Sequence, residues 1–169
     1  MSFYEDLAAA KTNSRNDGEF FLGNTAGTVV LHGILNKQST LKKTVILFAE
    51  ILESKAKLAG GPTQTKGTRV KKIYSLSTYE WHLNELKTDL VNIVGADEKS
   101  MTPNQMAELF KDVFEANQLK GVLAGFNVTK KAREGKTALD KTYFSHIDEQ
   151  HGNSEAEIAE RAKSIADVE

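Results

Sequence analysis

Arg69-Val70-Lys71-Lys72-Ile73-Tyr74-Ser75-Leu76-Ser77-Thr78-Tyr79-Glu80 is the stretch in which this chain changes its local period. From Thr68 to Ser77, basic and apolar residues alternate around β-branched Val70 and Ile73, which is the pattern of a strand. From Ser77 onward the spacing becomes helical. Ser77 and Glu80 stand as in a capping box, where each side chain would satisfy a free backbone N–H at a helix start. Leu83, Leu86, Leu90 and Ile93 or Val94 then recur every three or four residues until Gly95, which is placed to end the helix.

Working outward, Gly27–Asn36 is rich in β-branched residues and reads as a strand, with Gly33 marking a bend or bulge. A second strand runs from about Leu41 to Lys57, although its long apolar run also suits a helix in its second half. Leu58–Gly67 is a loop by composition, and Asn13, Ser14, Asn16, Asp17 and Gly18 give the N-terminal segment turn character. Beyond the first helix, Thr102-Pro103-Asn104-Gln105 starts a second one, with Pro at the first helical position. Strands resume at Leu119–Val128 and around Lys141–Ile147, joined by a polar loop, Lys130–Lys136. Ser154 and Glu157 offer another capping box before Ile158, Ala162 and Ile165, which predicts a short terminal helix.

Three strands, a helical insertion over residues 78–117 and two more strands is the order of the OB-fold, a five-stranded Greek-key barrel. The expected class is therefore mainly β with an α insertion. Its divisions are an N-terminal segment (1–26), the barrel (27–147) and an acidic C-terminal tail (148–169).

Charge is segregated along this order. The formal net charge is −1, yet residues 42–72 hold eight basic against two acidic residues and residues 120–141 hold six against two. Residues 80–115 hold three basic against eight acidic, and residues 148–169 two against seven. Cationic strands and loops gathered in this way suit a polyanion held on one face. On that reading Lys42, Lys43, Lys66, Arg69, Lys71, Lys72, Lys130, Lys131, Arg133 and Lys136 contact phosphates. Tyr74 and Tyr143 are the aromatic residues best suited to exposed stacking on bases. Phe126 and Phe144 suit the core instead, and Phe48 suits either. The plain alternative for a single basic cluster is a solvated strand edge that resists aggregation.

Other classes find little in the sequence. At 169 residues, 40% hydrophobic and 27% charged, the chain suits one domain with a real core. It has no cysteine and no apolar run approaching the roughly 20 residues of a membrane-spanning helix. The start shows no secretory pattern, so a cytoplasmic location and no membrane association are expected. The four histidines show no paired metal spacing, and no phosphate-binding loop or nucleophile motif is present. Asp97-Glu98 and Asp148-Glu149 read as solvated acids rather than Mg²⁺ ligands, and Trp81 and His82 as packing at a helix start. The expectation is a protein without catalysis and without cofactor.

The strand segments Thr28–Asn36, Thr44–Glu53, Arg69–Ser77, Gly121–Thr129 and Lys141–Ile147, with the insertion and the acidic end, resemble phage-encoded OB-fold single-stranded DNA-binding proteins. That resemblance implies coating of single-stranded DNA during replication and recombination, without sequence preference, in the host cytoplasm. It also implies that the acidic tail contacts replication or recombination proteins, and it is compatible with a homo-oligomer. The chain departs from that pattern at Val168-Glu169, which supplies no terminal aromatic residue. The alternatives are a protein-interaction or virion-structural domain and a strand-annealing recombination factor.

Overall fold

Val45, Leu47, Ala49 and Ile51 fall at every second position and all are buried. The long apolar run after Lys43 is therefore a strand throughout, not a helix. The computed structural model describes residues 3–9, 18–38, 43–147 and 154–165, and within them no side chains at 131–133 or 136–138. Its strands are β1 (Glu19–Phe20), β2 (Thr25–Gln38), β3 (Lys43–Ala56), β4 (Arg69–Ser75), β5 (Leu123–Arg133) and β6 (Lys136–His146). Its helices are α1 (Phe3–Ala9), α2 (Trp81–Val94), α3 (Pro103–Glu115) and α4 (Glu155–Ser164), with a 3₁₀ turn at Glu98–Ser100.

The strands form one curled sheet, a half-barrel, in the order β1-β4-β3-β2-β5-β6. β2, β3 and β4 make an antiparallel meander, the β5–β6 hairpin joins it through β2, and β1 runs parallel to β4 for two residues. The expected five-stranded Greek key is corrected on both points: among the described residues six strands are present, and their connections are a meander and a hairpin. Among the described residues no ladder joins β6 back to β4. The curl comes with two irregularities in the β2–β3 ladder, since each extra residue bends its strand. At Thr28/Val29 the extra residue is Leu52 on β3, and at Leu31/Gly33 it is His32 on β2. Gly33 takes φ 145°, where a Cβ would come within 2.5 Å of Asn117 Oδ1, so the expected bend is found at the residue that permits it.

The inward face buries Val29, Leu31, Val45, Leu47, Ile51, Val70, Phe126 and Phe144 against Leu86, Leu90 and Ile93 of α2 and Val113 of α3. Each such side chain contributes roughly 1.5–3 kcal/mol relative to exposure. Phe126 and Phe144 belong to this core as expected, and Phe21 closes on both, with ring centroids at 5.1 and 5.6 Å. Phe21 and β1 show that the sheet and its core begin before residue 27.

Local signals were honoured unevenly. Thr102 and Gln105 form the full capping box of α3, and Gly95 ends α2 in the left-handed conformation. Ser154 Oγ accepts from the Glu157 N–H, so the terminal helix starts where expected. The Ser77–Glu80 box is corrected: Ser77 Oγ instead accepts from the Lys43 N–H at 2.6 Å, and Glu80 occupies the N-cap of α2 without a side-chain bond. The expected Lys130–Lys136 loop is also corrected. The ladder continues through Lys130↔Asp140 and Lys131↔Leu139 to Arg133↔Lys136, leaving only Glu134 and Gly135 as the turn. Gly135 at φ 68° supplies the positive dihedral that so tight a hairpin requires.

Candidate nucleic-acid interface

Strand alternation sorts the basic residues of β4. Val70, Lys72 and Tyr74 point to the core side, whereas Arg69 and Lys71 point outward, opposite Glu50 and Phe48 of β3. Two expected contact residues are thereby corrected. Tyr74 is 0% exposed and offers no ring face for stacking. Its hydroxyl donates to Asp89 Oδ2 at 2.5 Å, and burial, with Asp89 and Glu85 nearby, raises its pKa well above the usual phenol value. Lys72 is also turned inward. Its ammonium meets Asp89 Oδ2 at 2.7 Å and Glu85 Oε1 at 3.2 Å, and donates to the Thr142 carbonyl of β6 at 2.7 Å. Burial raises the Asp89 carboxyl while Lys72 works against that shift. Lys72 is thus a structural cation of the seam between β4 and β6, which α2 fills.

The remaining candidates divide between the two ends of the sheet. Lys43 is exposed at the end where β3 meets Ser75, and β3 spans roughly 45 Å of chain at about 3.3 Å per residue. Lys66 is exposed in the β3–β4 connection at the other end, where the β5–β6 hairpin also projects. Lys57, at the start of that connection, reaches the hairpin: its ammonium donates to Asn127 Oδ1 at 2.6 Å and to the Val128 carbonyl at 3.3 Å. Lys130 is exposed on that hairpin. The backbone places Lys131, Arg133 and Lys136 around its turn, their side chains lying outside the described ones. Lys42, His151 and the Asp148-Glu149 pair lie outside the described residues.

Tyr143 is 43% exposed on the edge strand β6, beside Asn127 of β5, with Lys141 Nζ 5.2 Å from its ring centroid. Lys71 lies over the Phe20 ring at 5.3 Å. The hairpin end therefore carries Lys130 and Tyr143 on opposite faces of the β5–β6 ladder, with Lys66 in the β3–β4 connection at the same end of the sheet, while Lys43 stands at the far end.

The expected packing at the start of α2 is found: Trp81 clusters with Tyr79 and His82, ring centroids 5.7 and 4.1 Å from it, and remains half exposed. One feature escaped the sequence reading, a cleft around His32 on the outward face, for which a single histidine within an apolar strand gave no sign. No group of three or more His, Cys, Asp or Glu among the described residues is placed to hold a metal ion. No helix among them is long and apolar enough to cross a membrane. No family model and no curated protein matches the chain.

Proposed function

We propose that this protein binds single-stranded DNA without sequence preference, coating or protecting it during replication or recombination. The phosphate-contacting end is the β5–β6 hairpin with the Lys66 connection, and Tyr143 is the stacking ring. The observation that carries this reading is the half-exposed Tyr143 on the hairpin whose residues 130–136 hold four basic residues against one acid. Cations that neutralise phosphates, next to an exposed ring, are the two ingredients of sequence-tolerant single-strand binding. The test is fluorescence anisotropy of labelled oligo-dT of about 30 nucleotides at low and moderate salt. Salt-sensitive binding for which duplex competes poorly supports the reading. Absence of binding by the folded protein at low salt refutes it.

A second reading, a protein-interaction or virion-structural role, is favoured by the exposed Tyr79, Trp81 and Leu83 at the start of α2. Tyr and Trp in such a patch are the residue types that dominate protein interfaces. Sedimentation of the wild type against Trp81→Ala tests it: self-association lost in the variant, without oligonucleotide binding in either, would favour this role.

A further inference from the structure

On the outward face of the sheet, β2 brings Val30 and His32 beside Glu50 and Leu52 of β3, and Arg69 of β4 stands directly opposite Glu50. The C-terminal end of α4 closes over this patch with Arg161. Its position is set by backbone contact: Arg161 Nε donates to the Gly121 carbonyl at 2.7 Å, and a Cβ on Gly121 would lie 2.4 Å from the Ile158 carbonyl oxygen. The result is a cleft of about 310 Å³. That volume is at the lower end of the range for small-molecule sites.

His32 supplies the unexplained group. Its side chain is almost wholly buried, and its Nε2 has no hydrogen-bond partner. Glu50 Oε1 stands 3.6 Å away, beyond hydrogen-bond range. Buried polar atoms are nearly always satisfied, so one left open beside a cleft points to a missing partner there. Glu50 and Arg69, as cross-strand neighbours, present a carboxylate and a guanidinium side by side, and Val30 and Leu52 form an apolar wall.

We propose that this cleft binds a zwitterionic α-amino acid with a large apolar side chain, its carboxylate on Arg69 and its ammonium on Glu50, at the wall that His32 forms. The apolar side chain lies along Val30 and Leu52. Adjacent opposite charges on the protein select adjacent opposite charges on the ligand, and molecules with only one of them leave a partner unpaired. The inference does not rest on DNA binding.

The experiment is calorimetric titration of the full chain with L-phenylalanine and L-leucine, followed in parallel by the imidazole resonances of His32. 3-Phenylpropionate and phenethylamine, each lacking one of the two charges, are the comparison ligands. Saturable binding of an amino acid that shifts the His32 signals is expected, with both comparison ligands at least about tenfold weaker. Arg69→Gln, an exposed change that leaves the core intact, should weaken L-phenylalanine by about the same factor. The proposal is overturned by folded protein that binds neither amino acid, by 3-phenylpropionate or phenethylamine binding as well as L-phenylalanine, or by undiminished binding in Arg69→Gln.

Discussion

Lys72 Nζ lies 2.7 Å from Asp89 Oδ2 and joins β4 to α2. The same ammonium donates to Thr142 of β6, so one side chain crosses the seam where the strands themselves do not pair. Its three N–H donors match three acceptors, on Asp89, Glu85 and Thr142.

Removing that cation leaves two largely buried carboxylates short of charge compensation, Asp89 with the Tyr74 hydroxyl and Glu85 with Lys141 at 3.7 Å. Lys72→Met should therefore cost about 3–5 kcal/mol in urea unfolding. Adding Asp89→Leu should recover part of it, and the double-mutant cycle measures the coupling. Wild-type stability in Lys72→Met would exclude the fastening described here.

Tyr74 separates a packing role from a binding role. Tyr74→Phe should lose about 1–2 kcal/mol with the bond to Asp89, and Tyr74→Ala about 3–5 kcal/mol through the cavity left behind. Oligo-dT affinity per folded molecule should be unchanged in Tyr74→Phe. A loss of affinity there would return Tyr74 to the interface.

The two ends of the sheet should respond differently to charge reversal. Lys130→Glu should weaken oligo-dT binding and reduce the salt slope by about 1. Lys43→Glu, at the far end, should leave both nearly unchanged. Tyr143→Ala should cost about 1–3 kcal/mol of binding if its ring stacks on a base. Equal losses at Lys43 and Lys130 would contradict an interface confined to the hairpin end.

Gly121 faces α4 at φ 86°, with the Ile158 carbonyl and the Ala162 N–H close to where a Cβ would lie. Gly121→Ala should lift the helix from the sheet at a cost of about 1–3 kcal/mol, typical of overpacking. Hydrogen exchange across 155–164 should quicken while β3 amides keep their protection. Unaltered exchange in α4 would show that the close approach is not what seats it.

Both His32 and His82 are held below the ordinary imidazole pKa of 6.5, in each case chiefly by burial. Arg69 and Lys120 lower His32 further and Glu50 opposes them; around His82, Glu85 opposes burial while Lys72 and Lys141 add to it. Below pH 6.5 the unfolded chain protonates these rings before the folded one does. Their contribution is therefore complete above 6.5 and is lost as pH falls from there toward the folded values. Protonation of His82 would also remove Nδ1 as acceptor for the Ser75 N–H, a 2.8 Å bond. The melting temperature should drop between about pH 7 and about pH 5.5, less steeply in His32→Gln/His82→Gln. Asp89, its carboxyl raised by burial, acts in the opposite sense, losing stability as pH rises through its folded value. A wild-type slope as shallow as that of the double variant would remove the histidines as its cause.

Much of the fold was legible because period and punctuation are local. The alternation in β3, the bend at Gly33, the Thr102 cap and the Gly95 stop each act within a few residues of themselves. The pairing of β6 was not legible, because the absence of a β4–β6 ladder depends on α2, which fills that gap from a distant part of the chain. The candidate site was legible in the same partial way. Lys66, Lys130 and Tyr143, chosen from charge and residue type, are exposed. Lys72 and Tyr74 were misassigned because a basic-apolar alternation does not say which set faces inward, and here Asp89, 15 residues on from Tyr74, decided it. Ser77 failed as a cap for a similar reason, its hydroxyl being committed to Lys43 of another strand.

A cylinder shut by main-chain ladders on every side resists opening equally around its girth. This half-barrel has, among the described residues, a meridian held by side chains and one helix, so the excursion expected to cost least is a swing of the β5–β6 hairpin about its junction with β2. Such a door would move the Tyr143 edge as a unit while the β2–β3–β4 meander stays shut, and the amides of β6 would trade their protons long before those of β3.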